Sequence, residues 1–334
     1  MKSSDNYIKI KSRDNNVELL RIILMFMIVI LHMISHGLDF IPSLLKNEIN
    51  RQITSIHIFI FNITIIGVNS FIIISGYYGV KFKKETLFSL AKQAVASSLI
   101  ILIFYYLIIG KPNLKLFILS FVPILSNYWW YLSTYVLLLI LSPFINRNIE
   151  KLDKNEFTLI VVLLFLCNSI GGFFFGTFNA NQGYSILNFL FLYIFAQYCK
   201  VYNLFDKVKV IVPIYLGSLI INFIIGYFLY EGAYYQYFLK FYNYNNPLII
   251  FNSFFLVIIF LRLQIKTGLR NLSKLTLGIY LFHDNDFVRS YLPKLFSLDS
   301  SIQYIFIVGI FIFLIAGIVE FCRQKLFKFL KIDQ

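Results

Sequence analysis

Apolar stretches long enough to cross a bilayer recur along the whole chain, and this constrains its fold more than any motif. They run from Val17 to Leu38, Ile53 to Val80, Leu87 to Ile109, Tyr128 to Ile145, Phe157 to Phe178, Tyr184 to Tyr198, Val210 to Tyr230, Pro247 to Leu263, Leu275 to Ser290 and Ile302 to Phe321. A membrane-spanning helix takes roughly 20 apolar residues, and in lipid every backbone N–H and C=O needs a partner inside its helix or in a closed barrel. The stretches are continuous rather than alternating, which excludes a barrel. The expectation is an all-α integral membrane protein with ten transmembrane helices and short loops. The segment from Leu114 to Ser126 adds a half-span or an interfacial helix. Composition agrees: 59% of the 334 residues are hydrophobic and 14% are charged. Soluble domains carry about 25% charged residues, so too few remain here for a water-facing surface.

The net charge of +14 raises the question of nucleic acid. With the N-terminus in the cytoplasm, 23 of the 30 lysines and arginines fall at that end or in every second loop. The other seven, Lys46, Arg51, Lys111, Lys115, Lys240, Arg289 and Lys294, fall in the intervening loops. The positive-inside rule therefore predicts both termini inside and an even number of spans. No basic stripe interleaved with stacking aromatics is present, so no nucleic-acid partner is expected. The expected layout is a cytoplasmic segment over 1–16, one membrane domain over 17–321 and a basic cytoplasmic tail over 322–334. The first apolar stretch has span length and no small-residue cleavage pattern after it, so it is expected to stay as a helix. Cys167, Cys199 and Cys322 suggest neither a disulfide framework nor a metal site.

Polar groups inside spans are costly and point to function. In the first span Arg21 and His32 are eleven positions apart, a rotation within about 20° of the same face and an axial separation of roughly 16 Å. Glu18 precedes Arg21 by three residues and His36 follows His32 by four, so all four share one stripe. His32 is open to three readings: metal ligand, general base or nucleophile, and packed polar residue. Four histidines in the chain, with no second pair at ligand spacing, weigh against metal.

The stretch RDNNVELLRIILMFMIVILH, Arg13 to His32, resembles the first span of the acyltransferase-3 family of bacterial membrane acyltransferases, in which a basic residue precedes histidine by eleven positions, as Arg21 precedes His32. Phe71 to Gly76 resembles a second family motif, two phenylalanines, two variable residues, then Ser-Gly, with isoleucine at Ile72. NYWWYLSTYVLLLILSPFIN, with Trp130, Tyr131, Leu132 and Pro143, is similar to the family's fourth span. SKLTLGIYLFH, with Ser273, Tyr280, Leu281 and His283, is similar to its late Ser…Tyr-Leu-x-His segment. The four matches are collinear.

The resemblance implies an enzyme of the bacterial cell membrane that takes an acyl group, acetyl above all, from cytosolic acyl-CoA to a hydroxyl of a surface polysaccharide or its lipid-linked repeat unit. Arg21 is then the candidate for the CoA phosphates or the thioester carbonyl, since guanidinium suits bidentate phosphate binding. His32 acts as general base or as a transient acyl carrier. Glu18 is placed to pair with Arg21, and Ser75 to touch the acyl pathway or, with Gly76, to allow close helix packing. Trp130 and Tyr131, with Trp129, read as an aromatic belt or as a platform for a sugar. Tyr280, His283 and Asp284 are candidates for orienting an acceptor hydroxyl, although Asp284 and Asp286 also read as solvated loop charges. No metal is expected, and a homo-oligomer is left open. The competing classes are a flippase or transporter for lipid-linked oligosaccharide, which repeated halves would mark, and another membrane protein of glycan assembly.

Overall fold

A computed structural model of the chain describes residues 15–48, 53–112, 114–205, 210–266, 268–296 and 300–331. Lys2, Lys9, Lys11 and Arg13, and with them nearly all of the 1–16 segment, lie outside the described residues, as do Arg51, Lys207, Lys209 and the last three residues of the tail. The described residues form helices with no strand among them, as a chain of apolar spans requires.

The first span is α1 (Asn15–His32), which carries on as a π-helical turn over Met33–Gly37. A short α2 (Phe40–Leu45) follows. The second span is built from α3 (Ser55–Thr64) and α4 (Gly67–Tyr78). Next come α5 (Lys84–Ile109), a short α6 (Leu114–Leu119) and α7 (Trp130–Ile149). Then α8 (Lys154–Phe165) runs into a second π-helical stretch over Leu166–Phe174. They are followed by α9 (Ile186–Val201), α10 (Ile211–Glu231), a short α11 (Tyr235–Phe241) and α12 (Pro247–Arg262). The chain closes with α13 (Arg270–Ser273), α14 (Thr276–His283), α15 (Asp286–Leu295) and α16 (Ile302–Phe329).

Among the described residues seven helices are long and apolar enough to cross a membrane. Of the ten expected spans, the sixth and eighth correspond to the shorter apolar helices α9 and α12. The ninth is broken between His283 and Asp286 into α14 and α15. The expected half-span at Leu114 to Ser126 is the single short helix α6 followed by turns.

Hydrophobic patterning explains which helices lie inside the bundle. Helix α1 is packed by α3, α4, α12, α14 and α16, and Leu20, Leu24, Ile28 and Leu31 along it are buried. Helices α5, α10 and α16 instead turn apolar surface outward. On α16 the exposed residues Ile307, Phe311, Leu314 and Ile318 recur every three or four positions, one continuous stripe. An apolar stripe of this kind suits lipid and not water.

Close helix approach falls where the sequence offers small residues. A methyl group on Gly76 would lie 2.5 Å from the Tyr193 carbonyl oxygen on α9, so Gly76 serves close backbone packing. Ile72, where the family motif has phenylalanine, is fully buried in the same helix; an apolar side chain still fills that space.

Candidate active site

The site is assembled around the C-terminal end of α1. The Leu, Ile and Met-rich sequence has no interior Gly or Pro to stop the helix, so Arg21 and His32 are carried on one face. At His32 the backbone widens into the π turn, a geometry often found at functional sites. It ends at Gly37, where an added methyl group would meet the Phe296 ring at 2.5 Å. That close approach seats the end of α15 against the turn.

The broken ninth segment supplies the facing groups. Helix α14 stops at His283, Asp284 leaves helical geometry, and the Asn285 side chain caps α15 by accepting the Phe287 N–H at 2.9 Å. His283 Nε2 lies 3.1 Å from His32 Nδ1, and Asp284 Oδ1 lies 3.6 Å from the same nitrogen. Arg289, one turn into α15, reaches Asp284 Oδ1 at 3.5 Å and also donates to Asp286. The His36 ring is centred 5.5 Å from that of His32. Asp284 is therefore buried in the His32 cluster, while Asp286 is the solvated aspartate.

Two cavities meet at this cluster. The first, about 460 Å³, runs along α1 from Arg21 to His32 and is walled by Ser75, Tyr131, Tyr280 and Asp284 among others. Toward the Arg21 end it gains Ser89, Gln93, Ser273 and Lys274. The second, about 620 Å³, lies beyond the π turn, with His36, Asn181, Gln182, Gln236 and Lys240 in its walls. His32 and Tyr244 are the two described residues that line both.

At the Arg21 end the predicted pair is present. Arg21 Nη1 donates to Glu18 Oε1 at 3.2 Å, and the Ser273 hydroxyl donates to the second Glu18 oxygen. The Ser273 bond ties α1 to the start of the α13–α14 segment and holds Glu18, which is buried, beneath the guanidinium. Arg21 has five N–H donors, so the pairing with Glu18 still allows it to bind an anion in the cavity.

The aromatic residues at the start of α7 pack into the bundle and along the first cavity. Trp129 is buried, and Trp130 and Tyr131 face the first cavity. Trp130 stacks on Tyr244 with ring centroids 5.8 Å apart and meets Tyr184 at 4.5 Å. Tyr131 sits edge-on to Tyr280 at 5.8 Å. Ring-on-ring packing holds these side chains beside the cavity.

Tyr244 is fixed by a buried chain of amides that no sequence spacing singles out. Asn168 donates to Asn188 at 2.9 Å, Asn188 to Asn69 at 3.3 Å, and Asn69 to the Tyr244 carbonyl at 2.8 Å. Arg289, in sequence only a loop charge, belongs to the site as well. Among the described residues no group of three His, Cys, Asp or Glu side chains is arranged to hold a metal ion.

Arg21, Ser75, Trp130, Tyr131, Tyr280 and Asp284 thus share one cavity with His32, Glu18 pairs with Arg21, and His283 touches His32 directly. The sequence model of the acyltransferase-3 family, described as an acyltransferase domain, matches residues 14–321. The chain belongs to the acyltransferase-3 family. The match covers nearly the whole chain, including all four motif segments but for Arg13 at the start of the first. No curated protein and no solved structure matched. Family membership and the apolar helices together make the protein a multi-pass membrane acyltransferase.

Proposed function

We propose that the protein transfers an acyl group, acetyl in the leading case, from cytosolic acyl-CoA to a hydroxyl of a surface polysaccharide or its lipid-linked repeat unit in the bacterial cell membrane. The observation that carries this reading is the place of His32, an imidazole at the junction of two cavities. The distribution of basic residues puts the Arg21 end at the cytoplasm. The first cavity is then the donor side, with Arg21 and Lys274 for the anionic head and a passage toward His32 for the thin pantetheine arm. The second, lined by amides, His36 and Lys240, is the acceptor side.

In this reading the His32 imidazole takes the proton from the acceptor hydroxyl, and the oxygen attacks the thioester carbonyl. The C–S bond breaks as the ester C–O bond forms, and the proton ends on the departing CoA sulfur. An acyl-imidazole route uses the same group, with acyl transfer to His32 before the hydroxyl attacks. Trp130, Tyr131 and Tyr280 wall the place where donor and acceptor meet and exclude water from the thioester.

The test is replacement of His32 by Ala with membrane expression verified, followed by NMR measurement of O-acetyl groups on the surface glycan. Loss of acetylation is the expected result; undiminished acetylation would sink the catalytic role.

A further inference from the structure

We infer that His283 is a positioning residue that sets the tautomer of His32 and leaves Nε2 as its reacting nitrogen. This rests on the reading of His32 as the imidazole that does the chemistry.

The argument starts at a backbone carbonyl. His283 Nδ1 lies 2.7 Å from the Ile279 oxygen, four residues earlier in α14. A carbonyl oxygen only accepts, so Nδ1 of His283 carries a hydrogen. A neutral imidazole has one N–H, which leaves His283 Nε2 as an acceptor. That atom is 3.1 Å from His32 Nδ1, so the bond between the rings requires His32 to donate from Nδ1. Asp284 Oδ1, 3.6 Å from the same nitrogen, is an acceptor too and favours the same proton position. The chain Ile279 C=O, His283, His32 therefore has one direction, and it leaves the lone pair of His32 on Nε2.

The groups around His32 reinforce this arrangement. Arg289 draws on Asp284 Oδ1 at 3.5 Å, which holds the carboxylate beside both rings. His36 approaches from the π turn with its ring 5.5 Å away. A histidine needs its second nitrogen bound if the first is to be a reliable base or nucleophile, and here a second histidine does what a carboxylate or carbonyl does in other enzymes. The helix break at Asp284 serves this purpose. It lets α14 end with the His283 side chain at α1 while α15 turns away to bring back Arg289.

Two replacements of His283 separate positioning from packing. In His283→Gln the side-chain oxygen still accepts from His32 Nδ1; in His283→Leu the acceptor at hydrogen-bond distance is gone, and only Asp284 Oδ1 remains, at 3.6 Å. Turnover is read as free CoA released from acetyl-CoA by full-length protein in nanodiscs made from the native membranes, with His32→Ala as the reference. We expect His283→Leu to lose about 10- to 100-fold in kcat with little change in KM for acetyl-CoA, and His283→Gln to stay within about fivefold of the parent. Equal activity of the two variants, whether both high or both low, overturns the inference. If His32→Ala itself turns over normally, the catalytic reading of His32 fails first. A second measurement needs no His283 variant. In protein labelled with ¹⁵N at its four histidines, the signals lost in His32→Ala are expected to be those of an Nδ1–H tautomer, and an Nε2–H tautomer overturns the assignment.

Discussion

Gly278 and Glu320 lie so close that a methyl group on the glycine would overlap the Glu320 side chain at Cγ. The approach lets α16 place a fully buried carboxylate against α14, five residues before His283. Arg323 embraces that carboxylate with two bonds of 2.7 and 2.8 Å, and Gln93, which also lines the Arg21 cavity, donates to it at 3.1 Å. Gly278→Ala is expected to destabilise the protein by about 1–3 kcal/mol, the usual cost of overpacking, and to lower turnover by shifting α14. Thermal unfolding in detergent with acyl-CoA turnover on the same sample checks both.

The Glu320–Arg323 pair gives an asymmetric expectation. Arg323→Met removes one partner and leaves a buried carboxylate, at a cost of about 3–5 kcal/mol. The double replacement Glu320→Leu with Arg323→Met removes both charges and recovers most of that loss. A double-mutant cycle from unfolding midpoints decides it; a double variant as unstable as Arg323→Met would show that the charges are not what the site requires.

For the donor cavity the decisive residue is Arg21. Arg21→Lys keeps the charge but loses the planar fork that grips phosphate or carbonyl oxygens. With hydrogen bonds to charged groups contributing about 1.5–3 kcal/mol, KM for acetyl-CoA should rise about 10- to 100-fold, while the unfolding temperature stays near that of the parent. Titration of acetyl-CoA with thiol detection reads the change, and an unaltered KM would remove Arg21 from donor binding.

The amide chain behind Tyr244 makes a prediction about stability and activity together. Asn188→Leu orphans groups on Asn168 and Asn69, and each unsatisfied buried polar group costs about 1–3 kcal/mol. Because Asn69 holds the Tyr244 carbonyl, acyl transfer should fall as well. Wild-type activity together with the predicted loss of stability would show that Tyr244 does not depend on the chain of amides.

Much of this architecture is legible in one dimension. Hydropathy is a local property, so it places the spans and makes the class of fold plain, and the helical period alone puts Glu18, Arg21 and His32 on one stripe. The same local properties mislead for polar residues whose partners are remote in sequence. In sequence Arg289 counts as a loop charge and Arg323 as a topology charge, yet one pairs with Asp284 and the other is buried on Glu320. Trp129 carries the composition of an interfacial belt and is buried in the bundle. The asparagines are scattered through the apolar segments and have no spacing that links them. Only their meeting across α4, α9 and the α8 extension makes them a network.

By itself, then, the sequence determined that the chain is a bundle of apolar helices with a basic residue and a histidine on the inner face of the first. Lipid leaves few alternatives to helices, and a helix preserves its own periodicity. Tertiary structure alone decided which groups face His32, because the pairing of His32 with His283 spans 251 positions and depends on where α14 breaks. It also placed His32 between two cavities, since a cavity is space left between packed helices and belongs to no single segment.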